Sequence, residues 1–242
     1  MIPWLGDDPE CFPPLDMALK EPDGLLAVGG DLSVARLLAA YRRGIFPWYE
    51  SGQPILWWSP NPRAVLVPGE FHLSRRSLRR LRQLDLDISF DRSFAEVVEH
   101  CAGPRRRGNG TWITAAMADA YSRLHEIGYG HSVEIRLDDR LVGGVYGLAI
   151  GAVFFGESMF SLVADMSKFA LAALAVVLEK HKFVLIDCQV GSPHLESLGC
   201  RYLPRPEFQR LLETHAARDT PSGSWRAWNV EKPQLLARFD PD

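Results

Sequence analysis

Apolar and polar positions change their period partway along this chain of 242 residues. The first seventy residues are rich in Pro, Gly and aromatics and hold one clear helical pattern. "GGDLSVARLLAAYRRGIFPWY" predicts a helix from Val34 to Arg43, capped by Ser33 and stopped by Gly44, while "FPPLDMAL" suggests a turn and a short helix. From about Ala64 strands and helices alternate. "AVLVP" has the look of a strand; a Ser74-capped helix, a strand at "LDISF" and a helix through "FAEVVEHCA" follow. An amphipathic helix then carries Met117, Tyr121 and Leu124 on its apolar face. "HSVEIRL", a "DDR" turn and "LVGGVYGLAIGAVFFGESMF" predict antiparallel strands. The helix "SKFALAALAVVLEKH", the strand "FVLIDCQV", a short helix through "PHLESLG" and a last strand and helix at "RYLPRPEFQRLLE" complete the order. No period is readable after Thr214. The change of pattern divides the chain into a small domain, residues 1–63, and a larger one, residues 64–242.

"FVLIDCQV" is apolar and β-branched, as in a strand buried on both faces. Strict alternation sets Val184, Ile186 and Cys188 on one side and Leu185, Asp187 and Gln189 on the other. A buried polar group without a partner costs roughly 1–3 kcal/mol, so Asp187 and Gln189 bond each other, serve a pocket, or mark the strand's end. The order hairpin, strand, long helix, strand, helix, strand is that of an acetyltransferase-like (GNAT-type) α+β or α/β fold, with a mixed, largely antiparallel sheet flanked by helices. In that arrangement the strands before and after the long helix splay into a cleft. Glu157, at the end of "AVFFGE", then approaches Asp187 and Gln189.

Composition changes this picture little: 47% hydrophobic and 24% charged residues are ordinary for a globular protein. No apolar run reaches the roughly eighteen residues of a membrane span, and the start "MIPWLGDDPE" lacks a basic region followed by an apolar stretch. A cytoplasmic protein is expected. Four cysteines, Cys11, Cys101, Cys188 and Cys200, show neither CxxC nor zinc spacing, so neither a disulfide framework nor a metal is expected.

The net charge of −3 excludes a generally basic coat, yet positive charge is concentrated in "SRRSLRRLRQ" and in "PRRRG", Arg105 to Arg107. On a helix, Arg75, Arg76, Arg79, Arg80 and Arg82 fall within an arc of about 160°, opposite Leu78 and Leu81. Such a face is either solvated or a phosphate-binding surface. Trp48, Tyr49, Trp57 and Trp58 lie close in sequence, either as the core of a small lobe or as a platform for unpaired bases.

Several chemistries are poorly served. Coenzyme A needs a glycine-rich turn before the long helix, and "SLVADMSK" has no glycine and an acidic Asp165. The glycines of "GGVYGLAIG" lie in strands, not in a dinucleotide-binding turn. There is no P-loop and no Gly-x-Ser-x-Gly elbow. His125 and His131 have no metal spacing, and Cys188 with His194 is unsuited as nucleophile and base because alternation turns Cys188 from the polar face.

A cleft with carboxylates, a carboxamide and apolar walls remains, beside a basic helix and tryptophans. The segments "GGDLS", "YRRGIFPWY", "ILWWSPNPRAVL", "TWI", "HSVE", "LVGGVYG", "FFGESMFS", "SK", "LIDCQ" and "HLESLG" stand in the order found in leucyl/phenylalanyl-tRNA–protein transferases. The chain resembles that family from about Phe12 to Leu212.

The resemblance implies a cofactor-free bacterial cytoplasmic enzyme, expected to be monomeric. It would move Leu or Phe, less readily Met, from Leu-tRNA or Phe-tRNA to proteins with an amino-terminal Arg or Lys, marking them for degradation. By the same resemblance Gln189 would attract a proton from the attacking amine, oriented by Asp187, and Glu157 would contact substrate. Asp187 and Glu157 together would attract the acceptor's basic first residue. Phe154, Met159, Ser161, Leu171, Leu174 and Ile186 would form the side-chain pocket, with Val145 where relatives carry methionine. Trp48 and Trp112 would stack the terminal adenosine, and Arg76 and Arg80 would meet acceptor-stem phosphates. Arg136 after "HSVEI" and Met166 before "SK" depart from the family pattern and bear on pocket shape. The remaining alternatives are a non-catalytic RNA-binding protein and an acyl-coenzyme A N-acetyltransferase with an atypical cofactor turn. The first requires tRNA binding indifferent to Gln189; the second requires acetyl transfer.

Overall fold

The computed structural model describes residues 2–103, 113–217 and 223–239. Its elements run β1 (Trp4–Leu5), β2 (Leu25–Gly29), α1 (Val34–Arg42), β3 (Phe46–Pro47), β4 (Leu56–Trp58), β5 (Arg63–Leu66), α2 (Arg75–Gln83), β6 (Asp87–Phe90), α3 (Phe94–Ala102) and α4 (Ala115–Glu126). They continue with β7 (Gly130–Leu137), β8 (Arg140–Ile150), β9 (Val153–Ser161), α5 (Met166–Lys180), β10 (Leu185–Gln189), α6 (Pro193–Glu196), β11 (Arg201–Leu203), α7 (Arg205–His215) and α8 (Lys232–Phe239).

Ser33, Ser74 and Thr114 accept a backbone N–H at the starts of α1, α2 and α4, so those helices begin where the caps dictate. The two sheets are mixed. A seven-stranded sheet has the order β11-β5-β10-β9-β8-β7-β6, antiparallel except that β9 and β10 run parallel through the α5 crossover. One face packs against α5, which buries eleven of its fifteen residues. The alanines of "ALAALA" let it lie close: a Cβ on Gly143 of β8 would stand 2.3 Å from the Cβ of Met166. Met166 is thus accommodated by the glycine opposite it, away from the site. The other face packs against α3 and α4, in an apolar layer shared with Leu37, Tyr41 and Trp57 of the first lobe.

Two regions differ from the sequence expectation. The first seventy residues hold a four-stranded sheet, β1-β2-β4-β3, whose strands of two to five residues are too short to show alternation. The described residues after Thr214 also form regular structure. A single 3₁₀ turn at Trp225–Ala227 and α8 return across the sheet, held by stacked rings: His131 on Trp225 at 3.7 Å, Trp225 on Trp228 at 4.1 Å, and Trp228 on His181 at 3.9 Å. Ring stacking leaves no periodic trace in a sequence.

Candidate active site

The ladder between β9 and β10 stops at Phe155 and Asp187. Just beyond, both strands are irregular. In β9, Gly147 pairs with Gly156 and Tyr146 with Ser158, so Glu157 is an extra, bulged residue. In β10, Asp187 pairs with Val65 and Gln189 with Ala64, leaving Cys188 extra. Gln189 has φ +62° and lies at the centre of a three-residue turn closed by Val190 N–H donating to Cys188 O at 2.6 Å. A left-handed conformation costs a non-glycine residue about 1–2 kcal/mol. It also changes where the side chain points. Strict alternation therefore fails here, and the Gln189 carboxamide swings to Glu157, Nε2 donating to Oε1 at 2.9 Å.

Asp187 occupies a different place from the one expected. It is fully buried, and Arg63 grips it with two bonds, Nε to Oδ1 and Nη2 to Oδ2, each 2.7 Å. Asp187 Oδ1 also accepts the backbone N–H of Gln189 at 2.9 Å. It orients Gln189 through the main chain, not the carboxamide. Its charge is already matched by a buried guanidinium, so it is not an attractor for an acceptor's basic residue.

Glu157 is 8% exposed and sits among three polar partners. Tyr41 from α1 donates to Oε1 at 2.7 Å, Tyr121 from α4 donates to Oε2 at 2.5 Å, and the two phenol oxygens lie 2.7 Å apart. Three short contacts need three hydrogens. Two phenols supply two, and a proton on Glu157 supplies the third, Glu157 then donating to one phenol instead of accepting from it. Burial independently raises the Glu157 carboxyl to about 7, against the tyrosine and Gln189 hydrogen bonds that favour the anion. Burial and Glu157's charge push both phenols well above their ordinary range. Tyr41 and Tyr121 were not foreseen as site residues. Their one signal was a hydroxyl on an otherwise apolar helix face.

On the α5 side of the diverging strands lies an apolar cavity of about 80 Å³. Val145, Met159, Leu171 and Ile186 line it, together with Cys188 and Leu195, which the sequence did not point to. Phe154 and Leu174 lie instead in the closed core. Phe154 packs 5.9 Å from Trp225, and Leu174 is nearly a turn deeper along α5 than Leu171. Ser161 is also elsewhere: its hydroxyl donates to Val163 O and accepts from Ser167 N, bracing the entry to α5. Arg136 bonds Ser89 and Ser93 and is absent from the lining.

Trp57 is sealed in the core with its Nε1–H on Gly29 O, whereas Trp48 is 44% exposed and tilted against Trp58 at 5.7 Å. Neighbouring tryptophans thus divide between core and surface. On α2, Arg75, Arg76 and Arg79 are exposed and have no ion pair among the described residues, and Arg80 is half-buried. Trp112 and Arg105 to Arg107 lie outside the described residues.

A buried polar network and an apolar cavity lie on the two sides of one strand opening in a mixed α/β protein. The family model described as leucyl/phenylalanyl-tRNA protein transferase matches residues 65–213, and that of its N-terminal domain matches residues 30–61. A leucyl/phenylalanyl-tRNA–protein transferase of Stutzerimonas stutzeri is 55% identical, covering 94% of this chain and 100% of its own. One of an Azoarcus species is also 55% identical, covering 93% and 95%. The chain belongs to the leucyl/phenylalanyl-tRNA–protein transferase family. Among solved structures, L-PGS from Bacillus licheniformis is a distant likeness: 9% identity, 69% of this chain, 54% of that one and a TM-score of 0.39.

Proposed function

We propose that this protein transfers Leu or Phe, less readily Met, from aminoacyl-tRNA to the α-amino group of proteins beginning with Arg or Lys, marking them for degradation in the cytoplasm. Family membership supports the transfer from tRNA to protein. The observation that carries the chemistry is the bond from Gln189 to Glu157 beside the apolar cavity.

The incoming amine attacks the ester carbonyl carbon; the C–N bond forms, the ester C–O bond breaks, and the amine's proton passes to the ribose oxygen. Gln189 spends an N–H on Glu157, which leaves its carbonyl Oε1 to accept an N–H of the amine and align the lone pair. A carboxamide is a weak base, so its part is positioning and polarisation. Glu157, titrating near neutrality, is the one group of the network able to hold or release a proton at working pH. The cavity receives the transferred side chain, Trp48 stacks the terminal base, and Arg76 and Arg80, joined by Arg79, meet acceptor-stem phosphates. A GNAT-type origin for the large sheet is supported by the parallel β9–β10 pair opening beyond its α5 crossover.

The experiment mixes the protein with Phe-tRNA and a peptide beginning with Arg. The expected product is heavier by one Phe residue. No gain in mass overturns the proposal; tRNA binding without transfer points to a non-catalytic RNA-binding protein, and acetylation from acetyl-coenzyme A to an acetyltransferase.

A further inference from the structure

Arg63 lies within "ILWWSPNPRAVL" without an assigned role, and it is 1% exposed at the start of β5, beside the strand that bears Gln189. Its guanidinium lies 4.8 Å from the Phe46 ring and 4.9 Å from the Phe208 ring, one aromatic from the small sheet and one from α7. Two rings and two bonds to Asp187 fix both the place and the plane of the group. Lysine has the charge but not the fork, so the second bond and the planar stacking are particular to arginine.

Asp187 is in turn the only described side chain that accepts the Gln189 backbone N–H. That bond stands at the residue where the backbone turns left-handed and the β5–β10 register slips. Unsupported, a strained backbone of this kind relaxes, and it persists where its surroundings over-determine it. From Arg63 the links run to the carboxylate, the Gln189 amide, the turn, the carboxamide and Glu157 Oε1, each bond between 2.7 and 2.9 Å.

We propose that Arg63 is a positioning residue for the transfer reaction: its ring-clamped fork holds Asp187 so that Gln189 keeps its left-handed turn and presents its carboxamide to the cleft. This rests on the transfer activity proposed above. It predicts that Arg63 affects the chemical step more than tRNA binding.

The test is a double-mutant comparison in the full-length protein, with kcat and KM for Phe-tRNA measured per folded, tRNA-binding molecule. Arg63→Lys and Arg63→Met are made in the native chain and in Gln189→Ala. In the native chain both are expected to lower kcat about 100-fold, the effect of misplacing a reacting group by about an ångström, while KM changes less than about threefold. In Gln189→Ala the same substitutions are expected to change kcat by less than about threefold, because the group they position is gone. Equal losses in both backgrounds would show that Arg63 only supports the fold and overturn the proposal. So would an undiminished kcat in the native chain. If neither Arg63 variant binds tRNA, Phe46→Leu, which loosens one face of the clamp, takes their place with the same outcomes. Absence of transfer by the native protein is a separate result and overturns the functional reading itself.

Discussion

The Gln189 carboxamide donates to Glu157 across 2.9 Å between residues thirty-two positions apart in sequence. Both sit where their strands have just ceased to pair. Under the proposed function the bond commits one end of the amide to the protein and leaves the other for substrate. Replacing Gln189 by Ala should therefore lower kcat roughly 100-fold, in the range of a lost proton-handling group. Affinity for charged tRNA, measured by filter binding, should stay within about twofold. An unchanged kcat would remove Gln189 from the mechanism.

Glu157 links the site to pH. An ordinary glutamate releases its proton near 4.5, and this one holds it to about 7. Between those values the folded state binds more protons than the unfolded state. The stabilisation is thus complete below about pH 4.5 and lost as pH rises through 7, about 3 kcal/mol in all. Glu157→Gln, neutral at every pH, should gain stability relative to the native protein across that window. Denaturant midpoints at pH 5 and pH 8 decide it; parallel shifts at the two values would contradict the assignment.

Under the proposed function the cavity sets a size limit on the transferred side chain. Leu171→Ala removes part of its wall and should raise the preference for Phe over Leu in kcat/KM by about tenfold, while Val145→Met should move it the other way by a similar factor. Competition between Leu-tRNA and Phe-tRNA in one tube gives the ratio directly. If both variants left the ratio unmoved, the transferred side chain would have to bind elsewhere.

For the basic helix, Arg76→Ala with Arg79→Ala should weaken tRNA binding and flatten the plot of log affinity against log salt by about two phosphate contacts. Arg80, half-buried, should contribute less than either. A salt dependence identical to the native protein's would make the arginine face simply a solvated one.

The helices through α7 and the long strands after Ala64 were legible because each buries one regular stripe or run. Ser33 and Ser74 marked the starts of two helices by the same chemistry that caps them. Glu157 and Gln189 were legible as a pair because a polar residue at the end of a buried strand needs a partner. Their mode of meeting was not, since it depends on two register slips that alternation cannot anticipate. Arg63 and Asp187 were, in retrospect, complementary signals: one cation and one anion, each in an otherwise apolar strand. Tyr41 and Tyr121 looked like core residues because most of each ring is core; only the oxygens meet the site.

The departures from regular pairing in β9 and β10 fall at the same height on neighbouring strands. The wedge between them is consequently built into the strands themselves. Grafting or shortening peripheral loops should leave the crevice where it is. Deleting the extra residue, Glu157 from β9 or Cys188 from β10, would instead restore regular pairing with β8 or β5 and remove the local departure beside which the wedge lies.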